Sequence, residues 1–205
     1  MRNQPMSLAP VTLSGRTVRL EPLSLAHVPG LAAVGLDPAL WRWIPTPVAT
    51  VEEMRAYVAT ALDAQQRGLA LPFALVDRHT EQVIGSTRYG NIDVTHRRVE
   101  IGWTWIAASH QRTSVNSEAK LLLLTHAFET LGAIRVELKT DALNERSRRA
   151  IRRIGAVEEG TLRRHMITAS GRVRDSVYFS VLDDEWPAVR ARLTELTEPR
   201  SGERS

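Results

Sequence analysis

The alternation in Thr17-Val18-Arg19-Leu20 predicts a first strand near the start of the chain. Leu23–Val34 carries a weak helical period, broken at Pro29 and Gly30. Asp37–Thr50 holds three prolines and the pair Trp41 and Trp43, which predicts a loop with bulky anchors. Thr50 followed by Glu53 is a capping-box pattern. It opens a helix to about Gln66, ended by Gly68. Leu71–Asp77 and Gln82–Tyr89 read as strands joined by a turn at Arg78-His79-Thr80. Arg97–Ile106 continues this set. Its alternation places Val99, Ile101, Trp103 and Trp105 on one face and Glu100, Gly102 and Thr104 on the other.

Asn116–Leu131 has the strongest helical pattern in the chain, and Gly132 stops it. Ile134–Lys139 is a short β-branched strand. Asn144–Ile154 reads as a helix with Gly155 just past its end. Thr161–Thr168 and Val173–Leu182 form a predicted hairpin across Ala169-Ser170-Gly171. A β-rich first half is thus followed by β-loop-α-β-α-ββ. That order predicts one mixed α/β domain over residues 12–194, with a flexible leader at 1–11 and a polar, disordered tail at 195–205. No internal repeat or linker divides it.

Composition narrows the class. A chain of 205 residues, 43% apolar and 24% charged, is long enough for one domain with a real core. No apolar run approaches the ~20 residues of a membrane helix, and no secretory signal is recognisable. The lack of cysteine excludes disulfides, thiolate metal ligands and a cysteine nucleophile, and fits a cytoplasmic protein. The net charge is +4, and Lys120 and Lys139 are the only lysines among 27 basic residues. Such an excess suits a polyanion, either nucleic acid or the phosphates of a cofactor. No zinc spacing and no aromatic interleaving supports specific nucleic-acid binding. The six histidines lack ligand spacing, so no metal is expected.

Ser109–Val115 joins a strand to the long helix. A helix N-terminus offers unpaired N–H groups and the positive end of the dipole, and Arg112 adds a full charge, so this loop can bind an anion. The segment Gln111-Arg112-Thr113-Ser114-Val115-Asn116 resembles the loop that cradles the CoA pyrophosphate in the Gcn5-related N-acetyltransferase (GNAT) family. There the pattern is Gln/Arg-x-x-Gly-x-Gly/Ala; here Ser114 and Asn116 stand in for the glycines. Asn116–Leu123, Arg135–Thr140, Asn144–Ser147, Gly155–Gly160, Arg174–Ser180 and Glu185-Trp186-Pro187 resemble the branch that acetylates ribosomal-protein N-termini, the RimJ/RimL-like branch. Order and spacing hold from about Thr17 to Leu193. The resemblance implies a central twisted, mostly antiparallel sheet of about seven strands flanked by about four helices. It implies acetyl-CoA as co-substrate, no metal, and a primary amine as acceptor, with a protein N-terminal α-amine favoured. It leaves room for a homodimer and gives no reason for a membrane partner.

Acetyl transfer from a thioester to an amine needs a neutral amine, a stabilised carbonyl oxygen and a protonated leaving thiolate. A free α-amine has a pKa near 7.7–8.0, so on the order of a tenth is neutral at pH 7; a lysine amine demands more of a base. Glu100 is the first candidate base, because a mid-strand carboxylate opposite large apolar side chains needs a polar cleft. The competing reading makes it the cross-strand partner of an arginine such as Arg88. His165 is the second candidate, with a neutral imidazole able to accept a proton near pH 7. For the oxygen, the family uses a backbone N–H at a splay in the central strand, near Gly102 or Trp103, and Trp103 and Thr104 are candidates for contact with the cofactor. Asn144, Ser147, Ile151 and Ile154 share one helix face. The resemblance implies that Ser147 protonates the thiolate and that Asn144 contacts the pantetheine arm, though Asn144 also suits a helix cap. Arg148 is a candidate for the CoA 3′-phosphate. Trp41, Trp43 and Tyr89 are candidates for the acceptor side, with core anchoring as the alternative for the tryptophans. Rival readings keep the fold and acetylate a small amine or aminoglycoside, or bind acyl-CoA as a sensor without turnover.

Overall fold

The strand periods resolve into an eight-stranded sheet of order β1-β2-β3-β4-β5-β6-β8-β7 in a computed structural model that describes residues 6–198. The strands are β1 Leu13–Ser14, β2 Val18–Pro22, β3 Leu71–Asp77, β4 Val83–Asp93, β5 Arg98–Ile106, β6 Arg135–Asp141, β7 Val157–Ile167 and β8 Val173–Leu182. Six α-helices accompany them: α1 Val28–Gly35, α2 Pro38–Trp41, α3 Val51–Gln66, α4 Val115–Thr125, α5 Glu145–Arg153 and α6 Trp186–Thr197. The sheet is mixed α/β as expected, with one more strand and two more helices than the expected seven and four. Every neighbouring pair is antiparallel except β5 and β6.

Two cores sit on the two faces. One face buries Val18, Leu20, Phe73, Tyr89, Ile101, Val136 and Phe179 against Leu123 and Leu124 of α4, Ile151 of α5 and Leu193 of α6. The other packs Ala74 and Trp105 against Leu31 of α1, Trp41 of α2 and Met54, Tyr57 and Val58 of α3. α3 begins with the predicted capping box, in which Thr50 Oγ1 accepts from Glu53 N at 3.1 Å and Glu53 accepts from Thr50 N at 3.1 Å. Such a box stabilises the helix by ~1 kcal/mol.

Local differences have local causes. Pro29 lies in the first turn of α1, where a missing N–H costs nothing, so it starts the helix rather than breaking it. The helix predicted over Asn116–Leu131 ends as α4 at Thr125 and continues as one wider turn, in which Leu131 N donates to His126 O at 2.9 Å. α6 carries the chain past Leu193, because Val189, Leu193 and Thr197 are buried at helical spacing. The first and last parts of the expected leader and tail, residues 1–5 and 199–205, lie outside the described residues. Among the described residues no helix is long and apolar enough to cross a membrane.

Candidate active site

Strands β5 and β6 pair in parallel only from Arg98–Glu100 to Arg135–Glu137. Beyond Glu100 the two strands have no ladder, so Ile101–Ile106 presents a backbone edge with no strand beside it. The same stretch is bulged. Ser86 pairs with Trp105 and Arg88 with Gly102, so Trp103 and Thr104 together oppose Thr87. Trp103 takes the extra turn at φ 50°. This overturns the strict alternation expected along β5. Val99 and Ile101 face α4, but the inserted residue reverses the parity, and Trp105 joins Trp41 in the opposite core. Thr104 points instead toward α4, where it bonds Lys120.

Glu100 sits at the end of the ladder, 2% exposed. Its Oε2 accepts from Asn91 Nδ2 at 2.6 Å and from Lys139 Nζ at 3.0 Å. Both donors fall on Oε2, and Oε1 lies toward Gly102, where a built Cβ would come within 2.8 Å of it. A buried carboxylate is tolerable when paired and hydrogen-bonded in this way. The expected arginine partner is not the one used. Arg88 instead lies 5.0 Å from the ring centres of both Tyr57 and Trp103.

On β7 and β8, the ring of His165 shares a hydrogen bond with Ser176 Oγ at 3.0 Å and meets Tyr178 edge-on at 5.7 Å. Lys139 reaches the same Tyr178 ring at 5.7 Å and the Trp103 ring at 5.9 Å. Burial, then the positive charges of Lys139 and Arg174, hold the His165 imidazole below its ordinary pKa, against an opposing pull from Glu100. The imidazole is therefore neutral at pH 7, the form that can accept a proton. Glu100, Lys139, His165, Ser176 and Tyr178 thus form one polar cluster at the mouth of the splay.

The face covered by α4 and α5 is built differently. Gln111 Nε2 donates to Ile106 O at 2.9 Å and its Oε1 accepts from Arg146 at 2.9 Å, so this side chain ties the loop to β5 and to α5. Arg112 turns the loop at φ 65°. Thr113 Oγ1 donates to His110 O at 2.7 Å. Ser114 opens α4 without a side-chain cap; Val115 N donates to Thr113 Oγ1 at 3.3 Å, and the rest of the first turn is open to an anion. Arg112 and Arg146 are exposed beside it. Lys120, 7% exposed, donates to Thr104 Oγ1 at 3.1 Å, and burial lowers its pKa to about 8. Thr104 in turn shares a 2.7 Å bond with Thr87 across the bulge.

Asn144 caps α5 by accepting from Ser147 N at 3.1 Å, and the face it shares with Ser147, Ile151 and Ile154 points inward as expected. Arg148, the candidate for the 3′-phosphate, is half-buried and already paired. It pairs with Glu145 at 2.6 Å and with Glu158 at 3.7 Å. Two acceptor-side candidates are corrected as well. Tyr89 is fully buried on the α4 face, where it donates to Leu123 O at 2.5 Å and packs edge-on to Phe73. Trp41 is a core residue, 3% exposed, whose Nε1 donates to Gly35 O at 2.7 Å. Trp43 is half-buried beside Arg42 and Arg172, and its carbonyl accepts from Arg174. Asn91, Lys139, Arg174 and Tyr178 were not anticipated from the sequence, and Arg88 was weighed only as a partner of Glu100. One signal was present: in a chain whose other basic residues are arginine, both lysines point at β5.

Among the described residues no cluster of acidic, histidine or cysteine side chains could hold a metal ion. The site is thus a sheet opened between two parallel strands, with a helix N-terminus on one face and a buried carboxylate on the other. The acetyltransferase (GNAT) domain model matches residues 17–157, and the chain belongs to that family. The uncharacterised N-acetyltransferase p20 of Bacillus licheniformis is 28% identical over 176 residues, 85% of this chain and 98% of that one. The crystal structure of a GCN5-related N-acetyltransferase from Brucella melitensis superposes with a TM-score of 0.88 at 32% identity, covering 97% of this chain and 91% of that one. RimJ of Mycobacterium smegmatis, solved in complex with CoA-disulfide, shares the fold at a TM-score of 0.80 and 23% identity over 92% and 95% of the two chains.

Proposed function

We propose that this GNAT acetyltransferase uses acetyl-CoA to acetylate a primary amine, with a protein N-terminal α-amine as acceptor. The observation that carries this reading is the position of Glu100, buried at the mouth of the β5–β6 splay on the face opposite α4. Co-substrate and acceptor would meet there from opposite faces of the sheet. The pyrophosphate fits the loop Gln111–Asn116, where α4 is uncapped and Arg112 and Arg146 supply charge. Asn144 and Ser147 are assigned to the pantetheine side. The N-terminal acceptor rests on the likeness of Asn116–Leu123 and Arg174–Ser180 to the ribosomal N-terminal branch.

In the reaction the amine nitrogen attacks the thioester carbonyl, the C–S bond breaks, and the products are an acetamide and free CoA thiol. Glu100 takes the amine proton at Oε1, the oxygen that Asn91 and Lys139 leave free. His165 is the second group able to receive it. A backbone N–H of the bulged segment Gly102–Trp103 is assigned to the developing oxyanion. Ser147 returns a proton to the thiolate.

Thiol release from acetyl-CoA, followed with peptides bearing free α-amines, lysine side chains, polyamines and aminoglycosides, tests the reading. Release is expected with the α-amine peptides. No release with any acceptor overturns the enzymatic reading, and release only with an aminoglycoside overturns the N-terminal one. A second prediction follows from Gly102. In Gly102→Ala the new Cβ pushes on Glu100 Oε1, whose partner oxygen is pinned by Lys139 and Asn91. A displaced base costs about 10-fold or more in kcat/KM. The melting temperature should shift by only a few degrees, since a side-chain tip and not backbone must yield. Unchanged kinetics would remove Glu100 Oε1 from the reaction.

A further inference from the structure

We infer that the acceptor carries a carboxylate close to its amine and that Arg88 receives it; this rests on the acceptor side being where the preceding section puts it. Arg88 lies on β4, 5% exposed, on the face of the sheet that carries Glu100 and away from α4. Its guanidinium is held between the rings of Tyr57 and Trp103 at 5.0 Å from each. It enters no ion pair among the described residues, and its Nε is buried without a hydrogen-bond partner.

An arginine cannot shed its charge, so a buried one without an anion remains a desolvated cation. Two aromatic faces offset only part of that penalty. Other charges nearby are already spoken for. Glu100 is held by Lys139, and Asp141 by Arg172 and Arg174. Arg174 is equally buried, at 4% exposure, and its Nε also lacks a hydrogen bond, yet it has the Asp141 carboxylate within 3.8 Å and donates to Trp43 O. The protein therefore pairs its buried arginine on β8 and leaves the one on β4 for something else.

The balance of charge points to what that is. Arg88, Lys139, Arg172 and Arg174 stand against Glu100 and Asp141 on this face, an excess of positive charge. A polyamine or aminoglycoside would be repelled here. A carboxylate would be attracted, and the planar fork of Arg88 suits it, stacked between rings that fix its plane. The CoA phosphates are not the missing anion, because the loop assigned to them opens α4 on the opposite face. The carboxylate could belong to an acidic side chain near a peptide N-terminus or to a free α-amino acid; the recognising chemistry is the same.

Matched acceptors separate these cases. kcat/KM is measured for peptides that differ only in Asp or Glu against Asn or Gln at the second position, and for a free α-amino acid against its amide. The acid is expected to exceed its neutral mate by about 10-fold in one of the two pairs, which identifies the source. In Arg88→Met that ratio should fall to about one, whereas a merely structural Arg88 would lower both members alike and leave the ratio standing. Should Arg88→Met fail to fold, Arg88→Lys keeps a charge without the fork and is expected to lower the ratio. A wild-type ratio near one in both pairs, or a ratio that survives the substitution, overturns the inference. No thiol release with any acceptor would overturn the enzymatic reading instead, so the two failures are distinguishable.

Discussion

Glu100→Gln is expected to lower kcat/KM for an α-amine acceptor by about 100-fold or more at pH 7. The change is small in shape. A glutamine oxygen can keep the donors Asn91 Nδ2 and Lys139 Nζ, which both fall on Oε2 in the wild type. What is lost is Oε1 as an acceptor, because an amide NH2 would stand in its place. At pH 7 on the order of a tenth of an α-amine with pKa near 7.7–8.0 is already neutral, and by pH 9 nearly all of it is. The loss should therefore shrink as pH rises, since the substrate sheds its proton without help. The check is a pair of pH–rate profiles from pH 6 to 9.5, with thermal unfolding of both proteins as control, because Lys139 loses its counter-charge. A loss of equal size at every pH would make Glu100 a positioning residue that acts through Lys139. An unchanged profile would hand the base role to His165, whose imidazole is neutral at pH 7 through burial and the nearby Lys139 and Arg174.

The strand set and the long helix were legible because their periods are set by burial on one face. Leu71–Asp77 is the same in sequence and in structure, and the Thr50–Glu53 box opens α3 as the pattern required. Glu100 was legible for a related reason: a charge in an otherwise apolar alternation must have a polar destination. The parity of β5 was not legible. A bulge adds one residue with no mark in the pattern, and here the positive φ falls on Trp103 rather than on Gly102. All assignments beyond the bulge inverted with it, so Trp105 and Thr104 exchanged faces. Tyr89 misled for a different reason. It sits next to Arg88, and only the register of β4 against β5 decides which of the two faces Glu100. The helix α2 and the two-residue β1 are too short to leave a period. Arg88, Lys139 and Tyr178 come together only because β4, β6 and β8 are laid side by side, and no spacing along the chain encodes that.

Glu118→Ala is expected to destabilise the fold by about 3–5 kcal/mol, a larger effect than any other single substitution considered for stability. Glu118 belongs to the Asn116–Leu123 motif, yet it faces away from the splay. Its carboxylate, 6% exposed, accepts from the backbone N–H groups of Arg16 at 2.7 Å, Thr17 at 2.8 Å and Val18 at 3.0 Å, and from the Thr17 hydroxyl. Gly15 leaves room for it, since a Cβ there would lie 2.6 Å from Glu118 Cδ. The helix that opens at the proposed pyrophosphate loop is thereby fastened to the turn before β2. Truncation strands these donors in a buried place. Glu118→Gln is expected to cost less, about 2 kcal/mol, because one oxygen survives while the other becomes a donor facing donors. Acid gives the decisive control. Burial alone pushes the Glu118 pKa up, but the bonds from the Thr17 hydroxyl and the three N–H groups outweigh it and set the folded value below the ordinary 4.5. The stabilisation is then complete above pH 4.5 and is lost as pH falls through the lower folded value. In urea unfolding followed from pH 7 downward, the gap between wild type and Glu118→Gln should hold constant to about pH 5 and narrow below it, as the wild-type carboxyl takes up a proton and the amide does not. Equal unfolding midpoints at pH 7, or a gap indifferent to acid, would mean that the turn before β2 is held by the sheet alone.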